Sequence, residues 1–188
     1  MQLNVRWHSR AGQGAVTGAK ALAEVMSQQG KYVQAYSVYG AEKRGAPMTA
    51  YDKIDDEPIN DHSKWINPDY ILVIDPSLVF NPEIVDGTHE NTKFIVTTHL
   101  SKDELLAMPQ ASHLKDKNLF VLDAIKISQE EIGRAMPNTP TLAAFIQISQ
   151  VVSNESFLNS MKEILSKFPQ KIIDGNIKAM TRAMQEVN

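Results

Sequence analysis

The opening unit of the chain confines its fold more than any other stretch. In residues 2–8, Leu3, Val5 and Trp7 fall on alternate positions, the period of a short strand. Residues 9–14, Ser-Arg-Ala-Gly-Gln-Gly, then read as a glycine turn. From residue 15 to 29 the apolar positions Val16, Ala19, Leu22, Ala23 and Met26 recur at helical spacing, and Gly30 follows as a C′ residue. Strand, tight turn and helix in immediate succession favour a layered α/β fold over an all-helical or all-strand one.

The remaining elements extend that reading. Residues 31–38 and 48–54 alternate as strands, with a loop at 39–47 and a turn at 55–58. Residues 70–74, Tyr-Ile-Leu-Val-Ile, are continuously apolar, as suits a central strand covered on both faces. Residues 93–98 and 118–122 predict two more strands. The carboxyl half reads as helical over 124–133, 141–152, 154–168 and 171–187, with Pro137 and Pro169 as breaks. Ile173, Ile177, Met180 and Met184 form the expected inward stripe of the last helix, and Gly175 weakens its first turn. The pattern predicts one domain over 1–188, a mixed sheet and a helical carboxyl-terminal part.

Composition removes several function classes. The 188 residues include no cysteine, which excludes disulfides, thiol catalysis and Cys-ligated zinc or iron–sulfur clusters held by this chain. A formal net charge of −3 leaves no basic footprint for nucleic acid. No apolar run approaches the roughly 20 residues that span a bilayer, and the amino end lacks a secretory pattern. A soluble, cytoplasmic protein is expected.

Two loops stand out chemically. The turn at 9–14 brings backbone N–H groups to a helix N-terminus, a geometry that receives anions, with Arg10 and Gln13 beside it. The alternative is a tight turn that merely requires small residues. The dinucleotide fingerprint is incomplete, because Gly12 and Gly14 are followed by Thr17 where a third glycine belongs and Gly18 comes one residue late. No phosphate-loop Gly-Lys-Ser/Thr ending is present. The second loop, Gly-Ala-Glu-Lys-Arg-Gly-Ala-Pro at 40–47, can present Glu42 and Arg44 to a cleft or leave them solvated. The histidines at 8, 62, 89, 99 and 113 share no metal-site spacing, and Asp75 and Asp123 end strands as caps or ligand contacts.

The stretch at 8–17, His-Ser-Arg-Ala-Gly-Gln-Gly-Ala-Val-Thr, resembles the opening of the gamma subunit of 2-oxoacid:ferredoxin oxidoreductases, the pyruvate enzyme above all. The likeness continues at 30–36 and 39–47, in Pro58-Ile59, at 68–70, in Asp123-Ala124, in Asn138-Thr139-Pro140 and at 176–179. It implies a single Rossmann-like domain without redox cofactors of its own. The complex to which such a subunit belongs oxidatively decarboxylates a 2-oxoacid on thiamine diphosphate with Mg, passes electrons through [4Fe–4S] clusters to ferredoxin or flavodoxin, and hands the acyl group to coenzyme A. The partners implied are alpha, beta and delta subunits. The gamma part is expected beside the alpha subunit, near the approach of coenzyme A, with Arg10, Gly12, Gln13, Gly14, Glu42, Arg44, Gly45 and Asn138 as its contact residues. Enzymes for 2-oxoisovalerate or 2-oxoglutarate, a free nucleotide- or flavin-binding protein and a ligand-free adaptor are the alternatives. Ser9 and Ala11 stand where the family usually has glycine, and both are expected to take ordinary backbone angles.

Overall fold

A computed structural model describes residues 2–39, 45–60 and 67–188. Its strands are β1 (Leu3–Arg10), β2 (Tyr32–Tyr39), β3 (Pro47–Asp55), β4 (Tyr70–Val73), β5 (Lys93–Thr97) and β6 (Asn118–Leu122). They form one sheet in the order β2-β3-β1-β4-β5-β6. The β1–β4–β5–β6 half is parallel, while β3 pairs antiparallel with both β1 and β2. The sheet is therefore mixed, as the sequence predicted. β4 is buried along its whole length, which is why its sequence is apolar rather than alternating. The edge of β6 is closed by the last residue, because Asn188 exchanges both backbone hydrogen bonds with Val121.

The helices are α1 (Ala15–Gln28), α2 (Lys102–Ala107), α3 (Ala124–Ile132), α4 (Asn138–Ser149), α5 (Asn154–Ile164) and α6 (Gln170–Glu186). α1, α4, α5 and α6 cover one face of the sheet around Trp7, Leu22, Met26, Leu72, Phe145, Phe157 and Met180. The other face of the parallel half is covered by α2 and by short 3-10 turns at Pro76–Phe80, Pro82–Val85 and Pro109–Leu114. The sequence did not foresee α2 or these turns, whose lengths are below what apolar periodicity can register.

Three expectations are corrected in detail. β1 runs on to Arg10, because Ser9 and Arg10 pair with Met48 and Pro47 of β3 instead of joining the turn. α4 starts at Asn138, ahead of Pro140. A proline in the first helical turn lacks only an N–H that has no helical partner there, so it does not delay the start. The buried face of α6 is Gly175, Asn176, Ala179, Met180, Ala183 and Met184, whereas Ile173 and Ile177 are half-buried beside it.

Two glycines allow the layers to approach. A Cβ at Gly18 would lie 3.0 Å from the Trp7 ring, so α1 rests on β1 through a glycine one position after the fingerprint site. A Cβ at Gly175 would lie 2.7 Å from the Glu131 carbonyl oxygen of α3. Gly175 thus sets the α3–α6 distance rather than weakening a helix start. Arg182 holds the same pair together, reaching Glu130 and Glu131 of α3 and Glu186 of its own helix. Gly175→Ala is expected to lower stability by about 1–3 kcal/mol through overpacking, despite alanine's higher helix propensity; a thermal or denaturant midpoint checks it.

The core also holds a carboxyl group. Asp52 is 1% exposed, accepts a 2.7 Å hydrogen bond from Trp7 Nε1, and has no partner for Oδ1. Burial pushes its pKa well above the usual carboxylate range, against the opposing pull of the Trp7 hydrogen bond. A folded-state pKa above the unfolded one means that folding takes up a proton. The contribution of Asp52 is then most favourable at low pH and declines as pH rises from about 4 through the folded-state value. Asp52→Asn keeps an acceptor for Trp7 and removes this decline. Denaturation at pH 4.5 and pH 7.5 should show the variant gaining stability over the wild type as pH rises.

Candidate functional site

β1 and β4 are adjacent and parallel, yet the chain leaves their carboxyl ends toward opposite faces, through α1 on one and the 3-10 turns on the other. Such a switch point opens a crevice where ligands of open α/β sheets bind. At this switch point stand the 9–14 loop and Asp75, two residues beyond the end of β4.

Asp75 gathers the loop around itself. Its Oδ1 accepts from Ser77 N at 2.9 Å and Ser77 Oγ at 2.5 Å, and its Oδ2 accepts from Gln13 Nε2 at 2.5 Å. Arg10 Nε lies 3.5 Å from Oδ2. Burial alone pushes the Asp75 carboxyl up, but the Ser77 and Gln13 hydrogen bonds and the Arg10 charge outweigh it, and the pKa falls below the ordinary value. Gln13 Oε1 turns back to accept from Arg10 N at 2.9 Å and Ser9 Oγ at 3.1 Å. The remaining Arg10 nitrogens donate to the Gly45 carbonyl at 3.1 Å and to Ser77 Oγ at 3.0 Å. Arg10 therefore ties the loop to the start of β3 and to the turn after β4. Asp123, the other strand-end acid, caps α3 through Lys126 N at 2.9 Å.

The loop ends at two helix termini. Gly12 and Gly14 both have positive φ, at 100° and 90°. Ser9 and Ala11 are not among the positive-φ residues, so replacing the family's glycines there costs no backbone strain. Gly14 is required a second time, because a Cβ would lie 3.0 Å from both Cγ and Nδ2 of Asn138. Asn138 opens α4 and is 2% exposed, and its Oδ1 has no protein partner. α1 and α4 thus begin side by side. Neither has a side-chain cap nor an acidic residue in its first turn. The first turns of α1 and α4, each with the partial positive charge of a helix N-terminus, therefore lie next to one another, the α4 turn wholly buried. Thr139 Oγ1 donates to Asn176 Oδ1 at 3.0 Å and fixes the start of α4 on α6.

Of the sequence-predicted residues, Arg10, Gly12, Gln13, Gly14, Gly45 and Asn138 come together here. Glu42 and Arg44 lie outside the described residues. The sequence pointed to Asp75 only as a strand end and missed Ser77; the Asp-Pro-Ser order, a capping pattern for a short turn, was the available signal.

A second cleft of about 370 Å³ lies on the opposite face of β1, with Arg6, His8, Thr49, Tyr51 and Asn81 in its lining. Arg6 donates to the Ile84 and Asp86 carbonyls at 2.7 and 2.9 Å. Burial, with the Arg6 charge, lowers the His8 pKa to about 3, so its imidazole is neutral at physiological pH. Among the described residues no group of three or more His, Asp or Glu side chains is arranged to hold a metal ion, and no helix is long and apolar enough to cross a membrane.

Comparison with known proteins agrees with this fold. The family profile of pyruvate ferredoxin/flavodoxin oxidoreductase matches residues 4–186. Pyruvate synthase subunit PorC of Thermotoga maritima is 40% identical over 184 residues, covering 97% of this chain and 93% of the relative. The pyruvate/ketoisovalerate oxidoreductases common subunit gamma of Pyrococcus abyssi is 37% identical over 184 residues, covering 98% and 96%. The crystal structure of the Thermotoga maritima pyruvate oxidoreductase subunit PORC superposes with a TM-score of 0.83 at 37% identity, over 100% of this chain and 97% of that one. A 2-oxoglutarate:ferredoxin oxidoreductase from Magnetococcus marinus shares the fold at 13% identity, with a TM-score of 0.76 over 98% of this chain and 30% of that one. The chain belongs to the pyruvate ferredoxin/flavodoxin oxidoreductase family, among its PorC-like gamma subunits.

Proposed function

We propose that this chain is the gamma subunit of a pyruvate:ferredoxin or flavodoxin oxidoreductase complex that converts pyruvate to acetyl-coenzyme A, and that it contributes a polar contact for coenzyme A. The match over nearly the whole chain to pyruvate-enzyme subunits supports the first part. The uncapped, acid-free N-terminus of α1 behind the Gly12 and Gly14 turn supports the second.

The residues present do not suit the redox groups of such a complex. The chain lacks cysteine for clusters, and its described residues offer no carboxylate–histidine group for Mg. Thiamine diphosphate, its Mg and the [4Fe–4S] clusters are therefore assigned to the alpha, beta and delta chains. This chain's part is to bind and orient. The backbone N–H groups after Gly14 are the donors offered to a phosphate of coenzyme A, while Gln13 and Arg10 hold the loop in shape through Asp75 and Arg10 also holds the Gly45 carbonyl. Glu42 and Arg44, outside the described residues, keep the roles that the family likeness implies, Glu42 for a partner cation and Arg44 for a phosphate or partner carboxylate.

A second substrate reading has its own support. The Pyrococcus abyssi relative is a common subunit of pyruvate and ketoisovalerate oxidoreductases, which allows one gamma chain to serve two enzymes. Reduction of ferredoxin by the native complex on pyruvate, 2-oxoisovalerate and 2-oxoglutarate separates the readings. Pyruvate should give the fastest rate; equal or faster reduction on another acid refutes the pyruvate assignment. Native mass measurement should find this chain in a hetero-oligomer with each subunit type present twice, and a wholly free population refutes the subunit role.

The coenzyme A contact has a sharper test. Thr17 is exposed in the first turn of α1. An acid there complements the helix dipole by about 0.3–1 kcal/mol while repelling an anion at the same terminus. Thr17→Asp should leave the thermal midpoint unchanged or raised and weaken apparent coenzyme A affinity about 3- to 10-fold. Cluster reduction by pyruvate without coenzyme A should stay at wild-type rate. Arg10→Ala and Arg44→Ala, in assembled complexes, should shift coenzyme A affinity before they shift that half-reaction. Affinities within twofold of wild type in all three remove this chain from the coenzyme A path.

A further inference from the structure

The carboxyl-terminal helices leave a groove that the loop at the switch point does not use. It lies between the end of α5 and the first half of α6, with a volume of about 540 Å³, and is lined by Lys162, Ser166, Gln170, Ile173, Asp174, Ile177 and Lys178. Its floor is apolar, from the half-buried Ile173 and Ile177 at the edge of the core stripe of α6, Ile177 also packing against the core. Phe168, on the α5–α6 connection, is 44% exposed, among the most exposed large apolar side chains described. Lys167 Nζ stands 5.8 Å from the centre of its ring.

The rim has the opposite charge to the rest of the protein. Residues 162–178 carry four lysines, at 162, 167, 171 and 178, against Glu163 and Asp174, in a chain whose net charge is −3. Among the described residues none of the four lysines forms an ion pair, in contrast to Arg182 on the same helix, which meets three glutamates. Asp174 already accepts from Gln170 Nε2 at 2.8 Å, so part of the local negative charge is engaged within α6. An apolar floor flanked by the unpaired ammonium groups of Lys162 and Lys178, with Asp174 as the one acid in the lining, complements an acidic segment with an apolar anchor residue. Two lysines with an aspartate in the lining, on a chain of net charge −3, make a poor nucleic-acid site.

We infer that the α5–α6 groove is a docking site for an acidic segment of another protein chain, which seats one apolar side chain between Ile173 and Ile177 and sets Asp or Glu side chains against Lys162 and Lys178. The inference rests on the subunit reading above, since the occupant is sought among the chains of the complex. Carbodiimide treatment of the native complex, which joins lysine to carboxylate without a spacer, should link Lys162 or Lys178 to Asp or Glu of another chain. The double variant Lys162→Glu with Lys178→Glu should keep its thermal midpoint and bind that chain at least tenfold more weakly, with the wild-type contact weakening as salt rises. Links between chains elsewhere but none at these lysines, or unchanged binding by the double variant, overturn the docking and leave the subunit reading standing. A chain that enters no complex overturns the subunit reading and the docking with it. Co-sedimentation with phosphatidylserine–phosphatidylcholine vesicles that the double variant loses, without links to another chain, reassigns the groove to a membrane surface and overturns the proposal.

Discussion

The carboxylate of Asp75 is the contact on which the architecture of the candidate site depends. It ends the central strand β4, and both of its oxygens are engaged, one by Ser77 and the other by Gln13 with Arg10 nearby. An ionised carboxyl group beside the core is stable only when donors replace its water. Two loops supply them, and Arg10 draws in a third segment through the Gly45 carbonyl. The 9–14 loop, the turn after β4 and, through Arg10, the segment entering β3 are held in one arrangement. The start of α1 is thereby fixed with respect to the sheet.

Close approach is the second requirement, and it is met by removing side-chain atoms. Gly14 admits Asn138, Gly18 admits Trp7 and Gly175 admits the Glu131 carbonyl. These contacts bring α1 against β1, α4 beside α1, and α6 against α3. The result sets the first turns of α1 and α4 side by side, each with the partial positive charge of a helix N-terminus. Neither terminus carries an acid that would neutralise this field. The buried Asn138, with an oxygen lacking any protein partner, is the polar group within the contact whose bonding the chain leaves incomplete.

Much of the fold was legible because the pattern of buried positions is strong where an element is long or central. β4 reads as a continuous apolar run because both faces are covered, and α1 and α5 show one apolar stripe each. α6 was read with its stripe displaced, since Ile173 and Ile177 outrank Gly175, Asn176 and Ala179 in hydrophobicity, whereas close packing selected the small residues. The 3-10 turns and the six-residue α2 escaped because they bury only one or two residues each. In the site, Gly12, Gln13 and Gly14 announced themselves as a strand–turn–helix junction, while Asn138 entered only through family likeness, because nothing nearby in sequence marks it.

The sequence by itself determined the α/β class, the glycine turn at the end of the first strand, the absence of cysteine chemistry and the family. Each of these is written in residue types and short-range spacing, which local sterics and burial translate directly into structure. Only the tertiary structure decided the strand order, the union of Asp75 with Gln13 and Arg10, and the placement of Asn138 against Gly14. Those contacts join residues 62 or more positions apart, and nothing in local propensity selects one distant partner over another. The packing of helices on a twisted mixed sheet makes that selection, through which side chains are small enough to let the layers meet.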